Sequence, residues 1–214
     1  MTVKYKVDVY EKIMASRVVA ILRKIDVGKA KEIARALLEG GICAMEVTMD
    51  TPGALEAIQI IKSDLGDQAA VGAGTVLDPE TGRLALLSGA EFLVAPNLRA
   101  DVIRLGNRYG RLVIPGCSTP SEVENAYEAG ADIVKLFPAA DLGPGYIKSI
   151  KGPLGHITVM ATGGVGIENA EAFFAAGADI LGVGGSLVNR EAIANGDFQV
   201  LTDYAAGLVA KARK

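Results

Sequence analysis

Ile157–Val188 reads ITVMATGGVGIENAEAFFAAGADILGVGGSLV. An apolar, β-rich run (ITVMA, 157–161) passes through a glycine turn into a helix-like stretch. That stretch closes on Gly-Ala, and a second apolar run follows (DILGV, 179–183). A β-rich run, a helix and a second β-rich run form one βαβ unit, whose strands lie parallel and whose helix covers them. Working outward in both directions, the same rhythm recurs at VVAIL (18–22), CAMEV (43–47), AAVGA (69–73), EFLVA (91–95), RLVIP (111–115) and DIVKLF (132–137).

Eight such runs predict an α/β fold, a (β/α)₈ TIM barrel, in preference to the open doubly wound sheet that is the main alternative. The runs are continuously apolar, as strands covered on both faces are. GAGT (72–75) makes no convincing dinucleotide fingerprint. YKVDVYEKIMAS (5–16) reads as an extra N-terminal helix before the first strand, and 196–213 as the closing helix. STPSE (118–122) is a helix start, with a threonine N-cap, proline next and glutamate at the third position. No linker or composition break divides residues 1–214, so a single domain is expected.

Bulk properties narrow the function. The chain has 214 residues, 50% of them hydrophobic, enough to bury a core. A formal charge of −3 argues against a general nucleic-acid surface, so an anionic ligand needs a local site. No run of about 18 uncharged apolar residues suggests a membrane span, and the N-terminus lacks the apolar stretch of a signal peptide. Cys43 and Cys117 read as reduced thiols rather than a disulfide. The expectation is a cytoplasmic protein.

In such a barrel the chemistry gathers at the C-terminal ends of the strands. Those positions hold Arg23, Glu46 with Thr48, Thr75, Pro96, Pro115 with Gly116, Lys135 with Phe137, Thr162 and Ser186. Lys135 interrupts the apolar run IVKLFP (133–138), where an unpaired charge is costly. Two readings stand for Lys135 and Glu46: a structural ion pair across the barrel, or an amine whose pKa is lowered so that it attacks a ketone, with the carboxylate moving protons. Glycine pairs follow the seventh and eighth runs, the second opening a short helix. They suggest a phosphate site at the amides of Gly163, Gly164, Gly184 and Gly185 with the Ser186 hydroxyl. The lone His156 reads as a solvated or capping residue, Cys117 as a buried filler and Tyr127 as packing. No cluster suggests a metal.

The ordered set VVAILR, GGICAMEVT, VGAGTVL, EFLVAPN, IPGCSTPSE, VKLFPA, ATGGV and GVGGSLV resembles the 2-keto-3-deoxy-6-phosphogluconate / 4-hydroxy-2-oxoglutarate aldolases, nearly end to end. The resemblance implies a class I aldolase that cleaves 2-keto-3-deoxy-6-phosphogluconate to pyruvate and glyceraldehyde 3-phosphate without a cofactor. Hydroxy-oxoglutarate is implied as a further substrate, and a homotrimer as the assembly. Lys135 becomes the Schiff-base lysine and Glu46 its acid/base. By the same resemblance Thr75 corresponds to the group that holds the pyruvyl carboxylate, Pro96 and Phe137 to pocket walls, and Thr162 to the hydroxyl residue beside the substrate chain. Gly163, Gly164, Gly184, Gly185 and Ser186 fall where the family binds phosphate.

One position departs. Some members carry arginine four residues after the glutamate, where this chain has Asp50. Arg23 is the candidate replacement, since arginine holds carboxylates bidentately; an arginine ion-paired at the barrel rim is the alternative. The related phosphogalactonate aldolases tend to have valine where this chain has Thr162. The rival readings are a phosphogalactonate aldolase, a non-covalent phosphosugar enzyme on the same barrel, or a binding barrel without activity.

Overall fold

A computed structural model describes residues 2–212. The strands are β1 (Val18–Leu22), β2 (Ala44–Thr48), β3 (Ala70–Gly74), β4 (Phe92–Val94), β5 (Leu112–Ile114), β6 (Gly116–Cys117), β7 (Val134–Leu136), β8 (Val159–Thr162) and β9 (Ile180–Val183). They pair in parallel in the order β5-β4-β3-β2-β1-β9-β8-β7-β6, with helices in the connections. The order begins and ends on two pieces of one short segment, so the sheet curls back on itself as a TIM-like barrel.

Among the described residues nine strands stand in place of the eight that the sequence predicts, because Pro115 divides the fifth. Proline has no N–H to give a ladder. The Ala95 N–H donates to the Ile114 carbonyl on one side, at 3.1 Å, and the Lys135 N–H to the Pro115 carbonyl on the other, at 2.9 Å. Gly116 belongs at this seam, because a Cβ there would collide with the Pro96 carbonyl group and lie 2.7 Å from the Asn97 nitrogen.

Alternation along the strands sorts the core into two layers. Met45 and Val47, Val134 and Leu136, and Ala161 face the surrounding helices in one apolar cluster. Ala44, Ile133 and Met160 fill the barrel interior in another, with Val19, Phe92 and Ile180. Side chains two apart on a strand share a face. Glu46, Lys135 and Thr162 therefore follow Ala44, Ile133 and Met160 inward, one step nearer the C-terminal mouth.

The opposite end is closed by α1 (Thr2–Ser16), the expected extra helix, whose Val9 and Ile13 enter the interior cluster. The Tyr5 hydroxyl donates to Glu91 Oε1 at 3.0 Å, and Lys6 pairs with Asp132 at 2.7 Å. The helix thus covers the apolar interior at the base, while the cavity with the inward polar groups lies at the mouth. Local signals hold as read. The Thr119 hydroxyl accepts from the Glu122 N–H, and the Glu122 carboxylate accepts from the Thr119 N–H at 2.9 Å. At the Gly-Ala junctions, Gly89, Gly130 and Gly177 all adopt positive φ, and the next N–H reaches back five residues, the helix ending that favours glycine. The closing helix runs Gln199–Ala212; the expected residue 213 lies outside the described residues.

Candidate active site

A cavity of about 760 Å³ opens at the C-terminal mouth. Its wall includes Arg23, Glu46, Lys135, Phe137 and Thr162, together with Gly163, Gly164, Gly184, Gly185 and Ser186. Ten of the twelve residues to which the sequence assigns a catalytic or binding role thus share one space, whereas the strand-end residues Thr48, Pro115 and Gly116 do not line it. Thr75 and Pro96 do not line it. Thr75 stands behind Arg23, whose Nη2 donates to its Oγ1 at 2.9 Å. Pro96 packs its backbone on Gly116, the register partner of Lys135.

Lys135 and Glu46 stand on β7 and β2, on opposite sides of the barrel, and both are almost fully buried. They do not form the direct ion pair that a purely structural role implies. Glu46 Oε2 is buried without a hydrogen-bond partner among the described residues, and the Lys135 ammonium position lies 4.9 Å from the centre of the Phe137 ring. Burial lowers the Lys135 pKa; the Glu46 charge opposes this and the Arg23 charge reinforces it. Burial raises the Glu46 carboxyl, with Lys135 and Arg23 pulling it back. Each group is pushed toward its neutral form because neither is close enough to repay the other's desolvation.

Glycine makes room for both polar side chains. A Cβ on Gly74 would lie 2.7 Å from the Glu46 carboxyl carbon, and one on Gly182 would collide with the Thr162 hydroxyl. VGAGT and ILGV are therefore glycine-bearing because neighbouring strands hold functional groups at those levels. The Thr162 hydroxyl is itself buried without a hydrogen-bond partner among the described residues, so an oxygen or amine entering the cavity is its available complement.

The glycine-rich end differs from expectation in one respect. Gly184–Val188 does not open a helix directly. It makes a single turn, with the Leu187 and Val188 N–H groups donating to the Gly184 carbonyl at 2.9 and 3.0 Å, and the helix Arg190–Asn195 starts only after Asn189 caps it. The cap side chain of Asn189, directly after the turn, sets the helix start. Gly163 and Gly164 both take positive φ, as a tight turn after β8 requires. Asn169 braces this turn from both sides: its Oδ1 accepts from the Gly166 N–H and its Nδ2 donates to the Gly164 carbonyl, each at 2.9 Å.

Asn169, Glu168 and Arg190 also line the cavity and were not singled out from sequence. An asparagine three residues beyond a loop glycine is a legible bracing signal. Glu168 and Arg190 carry no such mark, since charged residues after loops are ordinary surface.

His156 is exposed and meets Tyr127 edge to face, centroids 5.2 Å apart, outside the cavity. Cys43 and Cys117 are both thiols, and burial pushes Cys117 up to about 12, too high for a nucleophile at neutral pH. Among the described residues, no group of three or more His, Cys, Asp or Glu is placed to hold a metal ion, and no helix is long and apolar enough to cross a membrane.

Residues 9–204 match the aldolase family described as KDPG and KHG aldolase. The chain belongs to this family. It is an aldolase, a carbon–carbon lyase. It is 39% identical over 170 residues to 2-dehydro-3-deoxy-6-phosphogalactonate aldolase of Escherichia coli K12, covering 79% of this chain and 83% of the relative. It is 36% identical over 198 residues to 2-dehydro-3-deoxy-phosphogluconate aldolase of Treponema pallidum, covering 92% and 93%. A Legionella pneumophila KDPG aldolase structure, with pyruvate captured as a covalent carbinolamine intermediate, superposes with a TM-score of 0.86 at 29% identity, covering 92% of this chain and 96% of that one. Among the described residues, Lys135 is the buried amine and Glu46 the buried carboxylate that line the cavity of this aldolase.

Proposed function

We propose that this aldolase cleaves 2-keto-3-deoxy-6-phosphogluconate to pyruvate and glyceraldehyde 3-phosphate through a Schiff base on Lys135. The observation that carries the reading is the placement of a buried, unpaired amine and a buried, unpaired carboxylate in one cavity, with two glycine turns at its rim. The neutral amine adds to the ketone carbon, and Glu46 supplies and removes protons as the carbinolamine loses water. The resulting iminium draws electrons from the bond between carbons three and four. Loss of the hydroxyl proton at carbon four releases the aldehyde, leaving an enamine. Protonation and hydrolysis then return pyruvate and the free lysine.

Arg23 and Thr75 serve the carboxylate end, and Phe137 walls the nucleophile; Pro96 supports that wall from behind. At the far end the phosphate meets the amides of Gly163, Gly164, Gly184 and Gly185 and the Ser186 hydroxyl, with Arg190 adding positive charge. Thr162, its hydroxyl unpartnered, faces the substrate chain and supports the phosphogluconate configuration. The 39% identity to the Escherichia coli phosphogalactonate enzyme favours the epimer as a second reading. Unphosphorylated 4-hydroxy-2-oxoglutarate is a slower substrate, lacking the phosphate contacts. Residues 1–214 act as one domain, in a cytoplasmic homotrimer such as the family resemblance implies.

The test is borohydride reduction with pyruvate followed by peptide mapping, beside a panel of the two phosphorylated epimers and hydroxy-oxoglutarate. An adduct on Lys135 and the highest kcat/KM on phosphogluconate are expected. An unmodified Lys135 peptide refutes the covalent reading, and a preference for the galactonate epimer refutes the substrate.

A further inference from the structure

The aspartate that departs from the family pattern is built into the same rim as Arg23. Arg23 Nη1 donates to Asp50 Oδ2 and Nη2 to Thr75 Oγ1, both at 2.9 Å. Half of the Arg23 side chain is exposed, so without these bonds the long chain would sweep the mouth. Asp50 is itself held on a fixed turn. The Thr51 N–H donates to the Thr48 carbonyl at 2.9 Å, the two buried hydroxyls of Thr48 and Thr51 lie 3.1 Å apart, and Thr51 Oγ1 accepts from the Lys24 N–H at 2.8 Å. The Met49 N–H donates to the Gly74 carbonyl at 2.8 Å. The ends of β1, β2 and β3 are thus fastened together around the carboxylate.

We propose that Asp50 is a positioning residue that fixes the Arg23 guanidinium at the cavity wall, ready for the carboxylate of a 2-oxo acid. The proposal rests on the reading of Arg23 as the carboxylate anchor. A guanidinium has five N–H donors, and the two bonds to Asp50 and Thr75 leave the others for a ligand. Thr75 accepts from Arg23 and keeps its own hydroxyl hydrogen to donate. Ordering the arginine beforehand removes a cost that binding would otherwise carry.

Charge and position act in opposite directions here. Removing the Asp50 charge alone makes the rim more positive and favours an anion; removing the brace frees the arginine and disfavours one. Pyruvate-dependent borohydride inactivation measures the balance, giving a half-saturating pyruvate concentration and a maximal rate.

Asp50→Ala is expected to raise half-saturation about fivefold to tenfold, with the maximal rate within about twofold, the pattern of lost binding rather than lost chemistry. Asp50→Asn keeps an oxygen for Arg23 and is expected to stay nearer the wild type. Asp50→Ala in an Arg23→Ala background is expected to add nothing, because the two act as one unit. Thermal unfolding of each variant shows that the fold is retained.

Unchanged or tighter half-saturation in Asp50→Ala overturns the proposal, as does an additive effect in the double variant. If Arg23→Ala alone leaves half-saturation unchanged, the carboxylate reading falls and the proposal with it. If the wild type is not trapped at all, the Schiff-base reading has failed instead.

Discussion

Gly74→Ala tests the Glu46 assignment without touching the carboxylate itself. Gly74 does not adopt positive φ, so alanine fits the backbone, and its Cβ points at the Glu46 side chain. The new methyl would start 2.7 Å from the carboxyl carbon, whereas carbon atoms rest about 3.5–4.0 Å apart. The carboxylate must therefore retreat by roughly 1 Å. Misplacing a catalytic group by that distance costs on the order of 10²-fold, equivalent to about 2.7 kcal/mol in the barrier. Overpacking adds a stability loss of about 1–3 kcal/mol, which in a chain of this size lowers the unfolding midpoint by several degrees. Steady-state cleavage, with pyruvate formation followed by a coupled dehydrogenase, reports kcat. Borohydride inactivation reports whether pyruvate still reaches Lys135. The expected result is a kcat about 100-fold lower with half-saturating pyruvate nearly unchanged. A turnover near wild type would show that the position of the Glu46 carboxylate does not govern the rate, and the acid/base role would be withdrawn.

Thr162→Val removes a buried hydroxyl that has no hydrogen-bond partner among the described residues. Stability is expected to be unchanged or slightly higher, while kcat/KM on the phosphogluconate epimer falls relative to the galactonate; an unchanged ratio argues against Thr162 as the discriminating residue. Glu91→Gln disturbs the base of the barrel, where the carboxylate accepts from the Tyr5 hydroxyl and the Val71 N–H and pairs with Lys62 at 3.0 Å. A loss of about 2–3 kcal/mol in chemical denaturation is expected, with kcat unchanged, because Glu91 sits at the end of the barrel away from the mouth.

Much of this protein is legible in its sequence. The strand rhythm is legible because parallel strands covered on both faces must be apolar throughout, and each must be separated from the next by a helix and its glycine stop. Lys135 and Glu46 were conspicuous because each breaks such a run, and a charge in that setting is too costly to be incidental. Other features depend on atoms far apart in the chain. The split at Pro115 becomes visible only when the barrel closes across it, since a proline at a strand end is otherwise an ordinary terminus. Asp50 read as a charge reversal and proved to be the partner of Arg23, 27 residues away. Glu168 and Arg190 gain a place at the cavity only because their loops end above β8 and β9. Sequence alone determined the periodicity, hence the barrel and the inward face of each strand, because strand geometry fixes which side chains share a side. Tertiary structure alone decided the distances: that amine and carboxylate share a cavity without pairing, and that glycine on a neighbouring strand gives the carboxylate its space.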